Sequence, residues 1–279
     1  MIIGVDLGGT NIRAGIVADG KVFSTQQTLL CEKDSLSSTL SQLISTIAPL
    51  VGPGIIGIGV GVPSVVDVEK GIVYNVVNIP SWKRVELKKI LEDEFKMPVF
   101  INNDVNCFVL GEHRYGHAKA FSSVVALALG TGLGAGIIIN NTLYCGSNCG
   151  AGEIGLLPYL DKNFEFYSSS MFFESIHSTT AFEAHENAIN GSHKALAIWA
   201  EYGMHLGNTL KAILYTYDPQ AVILGGSIAK AYPFFEESMQ KSLADFQFPE
   251  SIKKLKVLRS KIDNIALLGA AALVDEEYA

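Results

Sequence analysis

Apolar residues run along this chain in short bursts that end at glycine. Ile2 to Leu7, interrupted by Gly4 and Asp6, leads into Gly8-Gly9-Thr10, and Val124 to Leu129 leads into Gly130-Thr131-Gly132. Written one above the other, residues 2–22 (IIGVDLGGTNIRAGIVADGKV) and 124–144 (VVALALGTGLGAGIIINNTLY) match in pattern without a gap. Each copy predicts a strand, a loop of phosphate size, an antiparallel strand and a hairpin turn, at Asp19-Gly20 in one and Asn140-Asn141 in the other. Any two glycine-rich hairpins share some of this, but a second correspondence follows. Ile55 to Val62 runs into Pro63-Ser64, and Ala221 to Leu224 runs into Gly225-Gly226-Ser227. Two copies of one βββαβα-like unit predict two lobes with the strand-end loops lining a cleft.

Helical periodicity fills the gaps. Leu36, Leu40, Leu43, Ile44 and Ile47 predict a helix over 35–50 that stops before Pro53-Gly54. Val85 to Phe95 reads as an amphipathic helix ahead of Pro98, and Ala195 to Tyr215 as the longest one, ended by Asp218-Pro219. The last helix is expected over Ile265 to Glu277, with a small face at Gly269, Ala270, Ala271 and Ala272 suited to close packing. Trp82 is expected to anchor a core.

The chain has 279 residues, 48% hydrophobic and 18% charged, a globular composition long enough for about two domains. Lys and Arg number 21 against 28 Asp and Glu, a net charge of −7. With no basic run, nucleic acid is not an expected partner. Four cysteines (Cys31, Cys107, Cys145, Cys149) are too few for a disulfide scaffold, and no pair has zinc-ribbon spacing. The N-terminus has no export pattern and no apolar run reaches membrane-spanning length, so a cytoplasmic protein is expected.

Backbone N–H groups of a loop without Cβ atoms can converge on phosphate oxygens, so two facing glycine loops predict a clamp on one triphosphate. Gly130 to Ala135 also matches Gly-x-Gly-x-x-Ala, but the strand-like Ile137-Ile138-Ile139 follows in place of a helix, which excludes a dinucleotide fold. The repeats differ at one chemical position: Asp6 in the first aligns with Ala128 in the second. Asp6 is either a carboxylate that holds Mg²⁺ through water or an ordinary strand-end turn residue. INNDVN, Ile101 to Asn106, concentrates amides and one carboxylate at a strand end. They either meet a polyhydroxylated ligand, with Asp104 taking a hydroxyl proton, or cap the helix that starts near Val105. Cys145 and Cys149 read as unliganded thiols, and His113 and His117 as polar residues at a helix end.

At this point the residues resemble the ROK sugar kinases (repressors, open reading frames and kinases), over essentially the whole chain. VDLGGTNIRAG is similar to that family's first phosphate loop, GVGVPSVVD to its sugar-contacting loop and INNDVN to its catalytic Asn-Asp segment. LGTGLGAGIII with GAGEIG is similar to its signature region, DPQAVILGGSI to its adenosine-side motif, and FFESIHS to its Leu-Glu-x-x-x-Ser. The resemblance implies an α/β, duplicated actin-like ATPase (ribonuclease H-like) fold. Residues 1–115 with 265–279 would form the small lobe and 116–264 the large one, closing when sugar binds. It implies transfer of the γ-phosphoryl of ATP to the 6-hydroxyl of a hexose, with Asp104 as general base. Gly61, Ser64, Asn78, Asn103, Asp104, Glu153 and Glu174 would meet the sugar. Asp6, Gly8, Gly9, Thr10, Asn11, Gly130, Thr131, Gly132, Gly225, Gly226 and Ser227 would meet the nucleotide, with Mg²⁺ held by Asp6 through water. A homodimer is implied as well.

The departures matter equally. The family reads Glu-Ile-Gly-His and then a cysteine cluster that holds a structural zinc with that His. Here Leu156 follows Glu153-Ile154-Gly155 and residues 157–173 lack cysteine, so no zinc is expected. Leu156 also replaces a group that touches the anomeric side of the sugar, and Ser64 stands at a usual glycine. Glucose is the expected acceptor, with an N-acetylhexosamine (N-acetylmannosamine above all) and fructose as alternatives. A catalytically silent sugar-binding protein is another alternative. A sugar-sensing repressor is not expected, because only Met1 and one strand precede the first loop.

Overall fold

β-branched and glycine-broken runs give the strands, and the computed structural model describes residues 1–274. Its first half contains β1 (Ile2–Leu7), β2 (Asn11–Ala18), β3 (Lys21–Leu29), α1 (Leu36–Ile47), β4 (Ile58–Val62), β5 (Val65–Asp67), β6 (Ile72–Tyr74), β7 (Arg84–Val85), α2 (Leu87–Phe95), β8 (Val99–Asn103) and α3 (Asp104–Tyr115). Then follow β9 (Val124–Leu129), β10 (Leu133–Ile139), β11 (Thr142–Leu143), β12 (Pro158–Tyr159), β13 (Lys162–Asn163), α4 (Phe164–Ser168), α5 (Ser170–His177), α6 (Ala181–Ile189) and α7 (His193–Tyr217). The chain ends with β14 (Ala221–Gly225), α8 (Tyr232–Leu243), α9 (Pro249–Lys254), β15 (Lys256–Arg259) and α10 (Ile265–Ala272).

The repeat is structural. One sheet has the order β3-β2-β1-β4-β8 and another the order β11-β10-β9-β14-β15. Asp6 pairs with Gly61 across parallel β1 and β4, and Ala128 pairs with Gly225 across parallel β9 and β14, so positions aligned in sequence hold equivalent registers. Met1–Ala120, Gly136–Ala151 and the described residues from Lys261 on form one compact unit; Phe121–Ala135 with Gly152–Ser260 form the other. Residues 136–151, expected with the C-terminal lobe, thus cluster with the first unit. Gly136 is the local reason, since a Cβ there would lie 2.5 Å from the Val105 carbonyl of α3.

Local physics sets the element ends. Ser35 caps α1 by accepting from Ser38 N–H at 3.2 Å. Its last expected turn becomes the 3₁₀ segment Ala48–Leu50, where Pro49 has no N–H to continue an α-helix. The helix expected from Val85 starts at Leu87, because Arg84 and Val85 pair with Tyr74 and Val73 as β7. α7 begins at His193 under a Ser192 cap and ends at Asp218, whose φ of 41° turns the chain into the left-handed region. Trp82 is fully buried, and its indole N–H donates to Thr39 Oγ1 at 2.7 Å. In the second unit the buried rings of Phe172, Phe173, Trp199, Tyr202 and Phe235 join α5, α7 and α8.

α10 does what its small face predicts. A Cβ at Gly59 of β4 would meet the Ala270 carbonyl oxygen at 1.8 Å, and one at Gly269 would meet the Cys107 carbonyl oxygen at 1.7 Å. Backbone therefore touches backbone between α10 and both β4 and α3. The expected extension of this helix to Glu277 lies outside the described residues.

Candidate active site

In the first unit, loops after β1, β4 and β8 carry the candidate residues. The turn after β1 is closed by Gly8 N–H donating to the Asn11 carbonyl at 2.9 Å and by Leu30 N–H donating to the Thr10 carbonyl at 2.8 Å. A Cβ at Gly9 would lie 2.7 Å from Asn78 Cβ, so the first glycine loop and Asn78 are neighbours. Asp6 faces Arg13 across β1 and β2. Burial raises the Asp6 carboxyl above the ordinary carboxylate range, and the Arg13 charge offsets part of that.

Asp104 is the first residue of α3, and one of its carboxylate oxygens accepts from Val105 N–H at 2.9 Å. A Cβ at Gly61 would lie 3.4 Å from Asp104 Cα, so the tip of β4 passes beside it. The Cys107 thiol on the next turn is pushed well up by burial, then by the charges of Asp104 and Asp6. Both carboxylates therefore act on one buried sulfur from within the first unit. Asn103 caps α3: its side-chain oxygen accepts from Val105 N–H at 2.8 Å and Asn106 N–H at 3.3 Å, and its amide donates to the Ser64 carbonyl at 3.4 Å. The cap reading of INNDVN is thus met by Asn103. Ser64 directs its hydroxyl to the Tyr74 carbonyl.

In the second unit the glycine loop after β9 is tied to α5, with Ser170 N–H donating to the Gly130 carbonyl at 2.9 Å. Gly226, at φ 86°, approaches so closely that a Cβ would lie 2.2 Å from the Leu129 carbonyl oxygen. The loops holding Gly130, Thr131 and Gly132 and holding Gly225, Gly226 and Ser227 are thereby adjacent. Glu153 precedes a 3₁₀ turn, and its carboxyl is raised by partial desolvation and by the charge of Glu165. Glu174 projects, exposed, from α5.

Glu165 was not singled out from the sequence. One of its oxygens accepts from Leu133 N–H at 2.9 Å, at the start of β10, and a Cβ at Gly132 would lie 2.6 Å from it. Its only signal is the capping Asn163 ahead of an aromatic helix. Among the described residues, no group of three or more His, Cys, Asp and Glu side chains is placed to hold a metal ion.

Duplicated sheets of this order, with glycine loops at equivalent strand ends, define an actin-like ATPase fold. The chain belongs to the ROK family, whose sequence model matches residues 2–277. It is 28% identical to a glucokinase of Thermotoga maritima, covering 99% of this chain and 97% of that one. It is 30% identical to a xylose repressor of Bacillus spizizenii, covering 99% of this chain and 77% of the repressor. A solved ROK family glucokinase from Streptomyces griseus, in complex with glucose and AMPPNP, superposes with a TM-score of 0.83 at 26% identity, covering 98% of each chain.

Proposed function

We propose that this sugar kinase moves the γ-phosphoryl of ATP to the 6-hydroxyl of a hexose, glucose first. The observation that carries the reading is the placement of Asp104, set at the start of α3 beside Gly61 and sharing the surroundings of Cys107 with Asp6. In this reading Asp104 accepts the hydroxyl proton as the oxygen attacks phosphorus. Asn78 and Gly61 orient the sugar, and Glu153 accepts from sugar hydroxyls. Glu174 is assigned to the same task by position in its motif alone. The glycine loops, Thr10 and Asn11 among them, hold the phosphates, while Gly225, Gly226 and Ser227 meet the adenosine side.

Asp6 fits a divalent cation, because its carboxyl sits desolvated beside the first glycine loop with Arg13 as its partial counter-charge. Mg²⁺ bound there would neutralise phosphate charge. No structural zinc is assigned: Leu156 is 60% exposed where the family places a ligand, and elemental analysis of protein purified without added metal should find well under one equivalent. Among the described residues, no helix is long and apolar enough to cross a membrane. The reading is completed by a cytoplasmic homodimer, which sedimentation tests.

Coupled ADP release against a panel of glucose, N-acetylmannosamine, N-acetylglucosamine, mannose and fructose tests the acceptor. Highest kcat/KM on glucose is expected. Turnover confined to an N-acetylhexosamine or to fructose would replace glucose by that sugar. Sugar binding without turnover of any would overturn the kinase reading.

A further inference from the structure

The loop after β11 brings two cysteines onto one spot. Gly146, at φ 71°, and Cys149, at φ 54°, curl the chain, and Ala151 N–H donates to the Cys145 carbonyl at 3.1 Å. Both sulfurs then share the same two partners. Cys149 Sγ donates to Asn102 Oδ1 at 3.3 Å and Cys145 Sγ to the same oxygen at 3.7 Å. Asn106 Nδ2 donates to Cys149 Sγ at 3.4 Å and to Cys145 Sγ at 3.5 Å. Each thiol also shifts the ionisation of the other. A cavity of about 680 Å³, lined by Val66, Asp67, Tyr74 and Ser147 as well as both cysteines, gives a small oxidant access.

We propose that Cys145 and Cys149 are a reversible disulfide site, formed by a peroxide, whose oxidation lowers the kinase rate through Asn102 and Asn106. Cys149 is the attacking sulfur. The hydrogen bond from Cys145 draws its thiol down to about 7 against the opposing effect of burial, helped by bonds to Asn103 and Val66 of the backbone. Its thiolate attacks hydrogen peroxide, breaking the O–O bond to give a sulfenic acid and hydroxide, which takes up a proton as water. Cys145 then attacks that sulfur, forming the S–S bond and releasing water. Two thiols and one peroxide become one disulfide and two waters, and a dithiol reductant reverses the change by exchange. The other cysteines are unsuited: Cys31 is exposed, and Cys107, though its charge is felt by Cys145, is held as a thiol by burial.

The route to the rate is short. Asn102 Oδ1 also accepts from Asn103 N–H at 2.8 Å and from Asn106 Nδ2 at 2.9 Å. Oxidation removes both S–H donors and draws the sulfurs to about 2.05 Å, so the amides must rearrange immediately beneath the turn that starts with Asp104. A displacement of ~1 Å at a reacting group can cost on the order of 10²-fold. This effect on rate rests on Asp104 as the base; formation of the bond does not.

Intact protein titrated with hydrogen peroxide, then denatured, alkylated, digested and mapped by mass, is the test. A linked Cys145–Cys149 peptide is expected, with turnover falling roughly tenfold and returning with dithiothreitol. Cys31→Ser should respond as the parent does, and Cys145→Ser should keep its rate under peroxide. Both thiols still free after peroxide, or Cys149 oxidised to sulfinate without a link, would overturn the site. A linked peptide with unchanged turnover would overturn the coupling. The map reads the bond even in a protein that phosphorylates no sugar, so failure here is distinct from failure of the kinase reading.

Discussion

Asp6 and Arg13 are cross-strand partners at the mouth of the β1–β2 hairpin, and the guanidinium that faces the carboxylate is itself held by Asn264 ahead of α10. Arg13 is thus positioned from two sides, yet burial outweighs it and the Asp6 carboxyl is raised. A carboxyl raised in the folded state binds protons more tightly there than in the unfolded chain. Stability is therefore lower above the folded pKa and recovers as pH falls through it towards the unfolded value near 3.8.

Asp6→Asn removes that cost while keeping the shape. The ligand-free variant should melt above the parent at pH 7 to 8, and the gap should close in acid as the parent protonates. Kinase activity should fall by on the order of 10²-fold or more, because the carboxylate that would hold Mg²⁺ beside the phosphates is lost. Calorimetry across pH with an activity assay checks both halves, and a variant less stable than the parent at pH 8 would contradict them.

Asp104→Asn separates chemistry from architecture. The amide oxygen can still accept from Val105 N–H, as the carboxylate does at 2.9 Å, so α3 should start as before. The sugar KM should stay within a few-fold while kcat falls roughly 10²- to 10⁴-fold. A variant that keeps most of its kcat would remove Asp104 from the base role.

How much of this was legible follows from what each signal measures. Register repeats leave a mark in sequence because both copies solve one packing problem, and Asp6 over Ala128 already marked the asymmetric position. The cysteine pair was visible only as a Cys-x₃-Cys spacing. Its meaning lies in Asn102 and Asn106, which come from another strand end and another helix, and no local pattern reports a contact across some 40 residues. Glu165 was hidden for the same reason, since its partners Leu133 and Gly132 lie far back along the chain. The cap made by Asn103 was legible, but the pattern could not part it from a ligand contact, because the two use the same amide chemistry.

The contact of β4 with α10 makes a stability prediction independent of function. Gly59→Ala would place Cβ 1.8 Å from the Ala270 carbonyl oxygen, an overlap with backbone that no rotamer relieves. A loss of at least ~2 kcal/mol is expected, at the upper end of overpacking costs. Gly52→Ala, where nothing lies within 4 Å, is the control and should change stability little. Urea midpoints at constant slope measure the difference, and equal midpoints would mean that α10 moves away from the sheet at small cost.

The acid limb of turnover should include Glu153. Its carboxyl is raised first by desolvation and then by the Glu165 charge, so it protonates at a higher pH than an ordinary glutamate and stops accepting from sugar hydroxyls as the pH falls. Glu165→Gln removes the second cause, while its side-chain oxygen can still accept from Leu133 N–H. The limb of kcat/KM should then shift to lower pH with the plateau preserved. Glu153→Gln should change the limb, leaving the protonation of Asp6 in it, and raise the sugar KM at every pH, since an amide accepts more weakly than a carboxylate. Profiles measured from pH 4 to 8 on the best acceptor decide the matter. An unshifted limb in Glu165→Gln, beside an intact one in Glu153→Gln, would assign the titration to another carboxylate and take Glu153 out of the sugar site.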